Sequence, residues 1–165
     1  MTEAKDIPAD DSLNYLRAFD KNAESRSLAA LVREKLSHDK TILNLHAIAL
    51  TEADFQSLAE WVPVVGLKQL NLNRTGLNSV GMKHLCGGSA FGELGVLELA
   101  DNNLDDEAAF YISKASAFPN VAVLKIAANE IGDEGAMFLA RSPNLANLES
   151  STSPAIASPR PARPH

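Results

Sequence analysis

From residue 40 onward the apolar positions of the chain recur every 27 residues. The segments starting at Lys40, Leu67, Leu94 and Val121 superimpose without gaps. One column holds Leu43, Leu70, Leu97 and Leu124, and a second holds Leu45, Leu72, Leu99 and Ile126. Two further columns hold Leu50, Leu77, Leu104 and Ile131, then Leu58, Leu85, Ile112 and Leu139. A fixed period of this length is the mark of a repeated supersecondary unit. Within each unit the spacing changes character. Leu97 and Leu99 recur at alternate positions, as in a strand with one buried face. Phe110 near Ile112 and Ala115, and Met137 near Leu139 and Ala140, follow helical spacing. Each unit therefore reads as a strand, a turn and a helix, which places the chain in the α/β class. A unit so small cannot bury its own apolar face, so neighbours must stack and share one core.

The first half of each unit spells LxxLxLxxN, seen as LGVLELADN from Leu94 and VAVLKIAAN from Val121. On these residues the chain resembles the leucine-rich-repeat proteins, and most closely their ribonuclease-inhibitor-like subclass, through the LxxLxLxxNxIGDEG form of the last unit. The resemblance covers about residues 40 to 150. It implies a short solenoid, a segment of a horseshoe, with parallel strands on the concave face and helices on the convex face. It also implies that Asn102 and Asn129 bond the backbone of adjacent turns. Thr75 and Ile48 stand in that column in the earlier repeats. The glycine that opens the helix is Gly81 and Gly135, with Ala108 and Asp54 elsewhere. The first repeat is thus degenerate, as terminal repeats tend to be.

The ends of the chain read differently. Residues 1–39 form an N-terminal helical cap or decayed repeat, with Leu28, Leu31, Val32 and Leu36 at helical spacing. Repeats start at 40, 67, 94 and 121. A partial one starts at 145, where Leu145 and Leu148 begin a further strand. Residues 151–165, rich in proline, serine and arginine, form a tail expected to be disordered. The solenoid would then end on an uncapped edge, and two expectations follow: either the edge pairs with another chain, self-association included, or the protein is marginally stable and descends from a longer one.

Charge sharpens the functional classes. The net charge of -6 falls in residues 94–149, where three Lys or Arg face nine Asp or Glu. With no basic stripe, the chain is not expected to bind nucleic acid. No apolar run is long enough to span a bilayer, and MTEAKDIPADDS is not a secretory leader. A single cysteine, Cys86, suits a reducing compartment, so the expected location is cytoplasmic, or host cytosol for a bacterial effector. Asp101, Asn103 and Asp105 alternate like the start of a calcium loop, but Asp106 and Ile112 replace the glycine and glutamate that such a loop requires. Helix first turns explain these carboxylates better. Cys86 and His84 lie two apart on a helix and point in different directions, so they cannot pair as nucleophile and base. No catalytic site, metal or cofactor is expected.

The remaining surface is the concave one. Residues alternating with the inward leucines project from it, and equal positions of adjacent strands form ladders about 4.8 Å apart. Candidate protein-binding residues are Asn44, His46, Asn71, Asn73, Arg74, Glu98, Asp101 and Lys125. Glu98 with Lys125, and Arg74 with Asp101, are expected as neighbours of opposite charge. The function implied is a non-enzymatic module that binds a protein partner through this face. One alternative follows from resemblance to Ran GTPase-activating proteins, which share the subclass and use polar rim residues, here Arg74. Another is a fragment of a larger receptor, scaffold or effector.

Overall fold

Leu43, Leu70, Leu97 and Leu124 lie side by side in one parallel sheet, in a computed structural model that describes residues 27–60 and 66–148. The first part of the expected N-terminal cap and the expected disordered tail lie outside the described residues. In chain order the elements are α1 (Leu28–Lys35), β1 (Ile42–Asn44), α2 (Glu52–Ala59), β2 (Gln69–Asn71) and α3 (Ser79–Gly87). They continue with β3 (Val96–Glu98), α4 (Asp106–Lys114), β4 (Val123–Lys125), α5 (Asp133–Ala140) and a 3-10 turn at Pro143–Leu145. The sheet order is β1-β2-β3-β4, in sequence order, with a register of 27 throughout. This is the α/β leucine-rich-repeat solenoid.

Each strand is only three residues long because only its middle residue and the leucine just after it need to enter the core. Leu43, Leu45, Leu70, Leu72, Leu97 and Leu99 are almost completely buried. Each stabilises the fold by about 1.5–3 kcal/mol relative to exposure. After each strand the chain turns through one residue with positive φ, in a single column: Ala47 at 58°, Arg74 at 58°, Asp101 at 55° and Ala128 at 54°. At Ala47, Arg74 and Asp101 this left-handed conformation is held by a backbone bond to the next repeat. The N–H of Arg74, for instance, donates to the carbonyl of Ala100 in the next repeat at 3.1 Å. On the far side of the helices Phe91 and Phe118 stack at 5.6 Å, filling the loops that return to β3 and β4.

The asparagines do what the resemblance implied. Asn102 accepts from the N–H groups of Thr75, Gly76 and Leu77, and donates to the carbonyls of Leu72, Leu99 and Ala100. Asn129 accepts from Leu104 N–H and donates to Leu99, Ile126 and Ala127 carbonyls. Thr75 keeps one such bond, to the Leu72 carbonyl at 2.9 Å.

Helix starts also form a column. Thr51, Asn78 and Asp105 are N-caps whose side chains accept from the third helical N–H. The corresponding residue of α5 is Gly132, which has no side chain to do so. Asp106 of the preceding repeat supplies the missing acceptor, its Oδ1 taking the N–H groups of Gly132 at 2.7 Å and Gly135 at 3.0 Å. Asp106→Ala is therefore expected to lower stability by about 1–2 kcal/mol in urea denaturation, although Asp106 belongs to a different helix. A change below a few tenths would show that α5 starts without this help.

The fifth strand expected at Leu145 and Leu148 is not formed. Leu145 is buried, but Pro143–Leu145 is a 3-10 turn. The N–H groups of Ala146 and Leu148 turn back onto Pro143 and Leu145, so they cannot donate to β4. Asn147 anchors the turn by donating to the Pro119 carbonyl at 3.0 Å. Among the described residues β4 is thus the last strand, and Leu124 beside this edge is only partly buried.

Candidate functional site

The concave ladder has the register read from the sequence: Asn44 opposite Asn71, Asn71 opposite Glu98, Glu98 opposite Lys125. Its centre is Glu98. The carboxylate accepts from Gln69 Nε2, Asn73 Nδ2 and Lys125 Nζ, each at 3.1 Å, and its side chain keeps only 12% of its exposure. Burial of a carboxylate demands such donors, since an unpaired charge at this depth would be costly. Asn73 also accepts the Ala100 N–H at 2.6 Å, which ties its side chain across two repeats. Gln69, absent from the sequence-derived site set, belongs to this network. Its column, Ile42, Gln69, Val96 and Val123, is otherwise apolar, and a lone polar residue in it was the available signal.

The other candidates do not join the network. Asn44 and Asn71 each turn a side-chain oxygen to the N–H two residues on, of His46 and Asn73, so they shape the strand exits. The pairing expected between Arg74 and Asp101 is absent: no ion pair within 4.0 Å joins them. Both stand exposed at the left-handed turn, where water competes for each charge. His46 is likewise exposed. The face therefore offers three exposed ionisable groups along one rim, with a fixed polar cluster inside it. Past the cluster the outward column shrinks from His46 and Asn73 to Ala100 and Ala127, so the strip is shallow beside Lys125.

Most of the acidic stretch read as helix-start chemistry is used that way, Asp101 excepted, which stands at the left-handed turn after β3. Asp105 accepts the Ala108 N–H at 2.9 Å, and Asp106 and Glu107 lie in the first turn of α4. Cys86 packs against the core, and burial pushes its thiol up to about 12. The thiol consequently stays neutral and unreactive near neutral pH, far from the thiolate needed for attack. Iodoacetamide at pH 8 is expected to modify folded protein much more slowly than urea-unfolded protein. Equal rates would mean an accessible thiol. Because the folded thiol titrates above its ordinary value, Cys86 favours the folded state fully at neutral pH. That contribution is lost as pH rises toward about 12.

Comparison with known proteins agrees with this fold. A family model described as "Leucine Rich repeat" matches residues 119–140, the span of β4 and α5. The chain thus carries a leucine-rich repeat at residues 119–140 and has the leucine-rich-repeat fold, and its helix-bearing repeats accord with the ribonuclease-inhibitor-like subclass. Among solved structures it is similar to leiomodin-1 actin-binding site 2, with a TM-score of 0.54 at 15% identity, covering 69% of this chain and 68% of that one. It is also similar to the tropomodulin C-terminal domain of Caenorhabditis elegans, with a TM-score of 0.50 at 15% identity, covering 78% of this chain and 71% of that one. No curated protein matches the sequence. No helix among the described residues is long and apolar enough to cross a membrane.

Proposed function

We propose that the chain is a non-enzymatic, cytoplasmic interaction module that binds a protein partner, rather than nucleic acid, through its concave face. The observation that carries this reading is the Glu98 cluster. Three donors from β2 and β4 and the turn after β2 hold one carboxylate in place, so the polar strip is preorganised before any partner arrives. Preorganised side chains lose less entropy on binding. Exposed His46, Arg74 and Asp101 add adaptable contacts along the rim. The apolar lane of Ile42, Val96 and Val123 runs beside them.

Affinity capture from a cytosolic lysate tests the proposal, comparing the chain with its Asn71→Ala/Glu98→Ala/Lys125→Ala variant after circular dichroism has shown both folded. Partners recovered by the parent chain are expected to fall by about tenfold with the variant. Equal recovery of the same proteins would defeat the concave-face reading. The fold likeness to a segment named for binding actin makes actin a partner to include, by co-sedimentation with filaments. The GTPase-regulator reading draws on the unpaired Arg74. It would replace this one if the chain accelerated GTP hydrolysis by a small GTPase and Arg74→Ala abolished the effect.

A further inference from the structure

The helices form columns of their own on the convex face, and these change character along the solenoid. One column reads Gln56, Lys83, Phe110, Met137, passing from polar to apolar. Another reads Glu60, Gly87, Lys114, Arg141, passing from acidic to basic. Both changes fall on the last two repeats. There Phe110 is 39% exposed and Met137 50% exposed, two of the four large apolar residues exposed among the described residues. Helical spacing in the sequence groups them with their buried neighbours. The structure turns them outward.

Between the C-terminal halves of α4 and α5 these residues line a groove of about 220 Å3. Phe110 meets Phe138 edge to face at 5.3 Å, which fixes the floor. Lys114 Nζ lies 5.9 Å from the centroid of the Phe110 ring, and Arg141 stands at the end of α5. Neither cation forms an ion pair with a described residue. This holds although the described residues from 94 to 148 contain eight carboxylates. Asp106, Glu107, Asp133 and Glu134 all sit in the first turns of α4 and α5, at the opposite end of the helices from the two cations. The groove is thus an apolar floor with a cationic rim on an acidic protein.

We propose that this convex groove docks an acidic amphipathic peptide segment of a partner protein. Apolar side chains of the segment cover Phe110, Met137 and Phe138, and its carboxylates meet Lys114 and Arg141. Charge complementarity selects this occupant. A second copy whose two-fold axis passed through the groove would bring Lys114 and Arg141 near their own copies, which costs energy. A nucleic acid would meet two cations amid many carboxylates.

Panning a random dodecapeptide library on the whole chain tests the proposal, followed by fluorescence anisotropy with the enriched peptides. Lys114 and Arg141 are exposed, so Lys114→Glu/Arg141→Glu leaves the core intact, and circular dichroism checks this. The expected result is enrichment of Asp or Glu beside Leu, Ile or Phe. Binding should be about tenfold weaker to the double variant and unchanged in the Asn71→Ala/Glu98→Ala/Lys125→Ala variant. Failure to enrich any peptide would overturn the proposal. So would enrichment of basic or uncharged peptides, or undiminished binding to Lys114→Glu/Arg141→Glu. A concentration-dependent dimer of the chain, abolished by Met137→Asp, would assign the groove to a second copy instead.

Discussion

Replacing Asn102 by alanine is expected to cost about 3–5 kcal/mol of folding free energy, more than the loss of any other polar side chain of the solenoid. Asn102 is 5% exposed, and its carboxamide is bonded on both sides. The oxygen takes three successive N–H groups, those of Thr75 at 3.0 Å, Gly76 at 3.1 Å and Leu77 at 3.1 Å. The nitrogen donates to the carbonyls of Leu72 at 2.8 Å and Leu99 at 3.0 Å. Alanine leaves the N–H groups of Thr75 and Leu77 buried without partners, at about 1–3 kcal/mol each before local relaxation, while the Leu72 and Leu99 carbonyls keep the Thr75 hydroxyl and the Asn129 amide. It also unties the turn that carries Arg74 in its left-handed conformation. Asn129→Ala is the internal comparison. Asn129 accepts a single bond, from Leu104 at 3.1 Å, and stands beside the last strand, so its loss is expected to be smaller. Urea denaturation of the two variants checks the order. If Asn129→Ala were as damaging as Asn102→Ala, the number of backbone groups served would not be what sets the cost.

The second large effect is steric. Gly88 is the C-cap of α3, and its backbone lies so close to α2 that a Cβ would collide with the Ala59 carbonyl oxygen and stand 2.7 Å from the Ala59 Cβ. The obstacle is main chain at the end of a packed helix, which has no rotamer by which to yield. Gly88→Ala is expected to lose about 3 kcal/mol, the upper part of the range for overpacking. Its neighbour Gly87 is the control. A Cβ there meets nothing within 4 Å, so Gly87→Ala should be neutral or slightly stabilising through helix propensity. Two alanines side by side should therefore differ sharply in thermal unfolding. Similar melting temperatures would show that α2 and α3 are not held at this spacing.

The repeat made much of the fold legible. Four superimposed segments locate the strands, the inward leucines and the register, because the sheet repeats with the same 27-residue step as the sequence. The proximity of Glu98 and Lys125 followed from that step alone. What an alignment of columns does not carry is side-chain conformation. Arg74 and Asp101 share a column yet remain apart, since two exposed charges at a turn gain little from meeting. The sequence also does not show help passing between repeats. Gly132 lacks a cap in its own segment, and only the folded arrangement brings Asp106 to it. Leu145 does reach the core as its spacing suggests. The backbone around it closes on itself in a turn, a local choice that Pro143 favours and the apolar pattern cannot report. For Phe110 and Met137 the signal was present but lay between repeats. Helical spacing within one segment marks them as apolar, and only their columns, with Gln56 and Lys83 at the same positions, mark an outward face.

Whether a partner engages the concave strip built around Glu98 is tested most directly by hydrogen–deuterium exchange with mass spectrometry, on the chain alone and with the protein recovered by capture. Slowed exchange is expected in the strands and their exits, at residues 42–47, 69–74, 96–101 and 123–128, with the outer helices α1, α2 and α3 unchanged. Protection confined to the helices, with those four segments exchanging as in the free chain, would contradict concave-face binding.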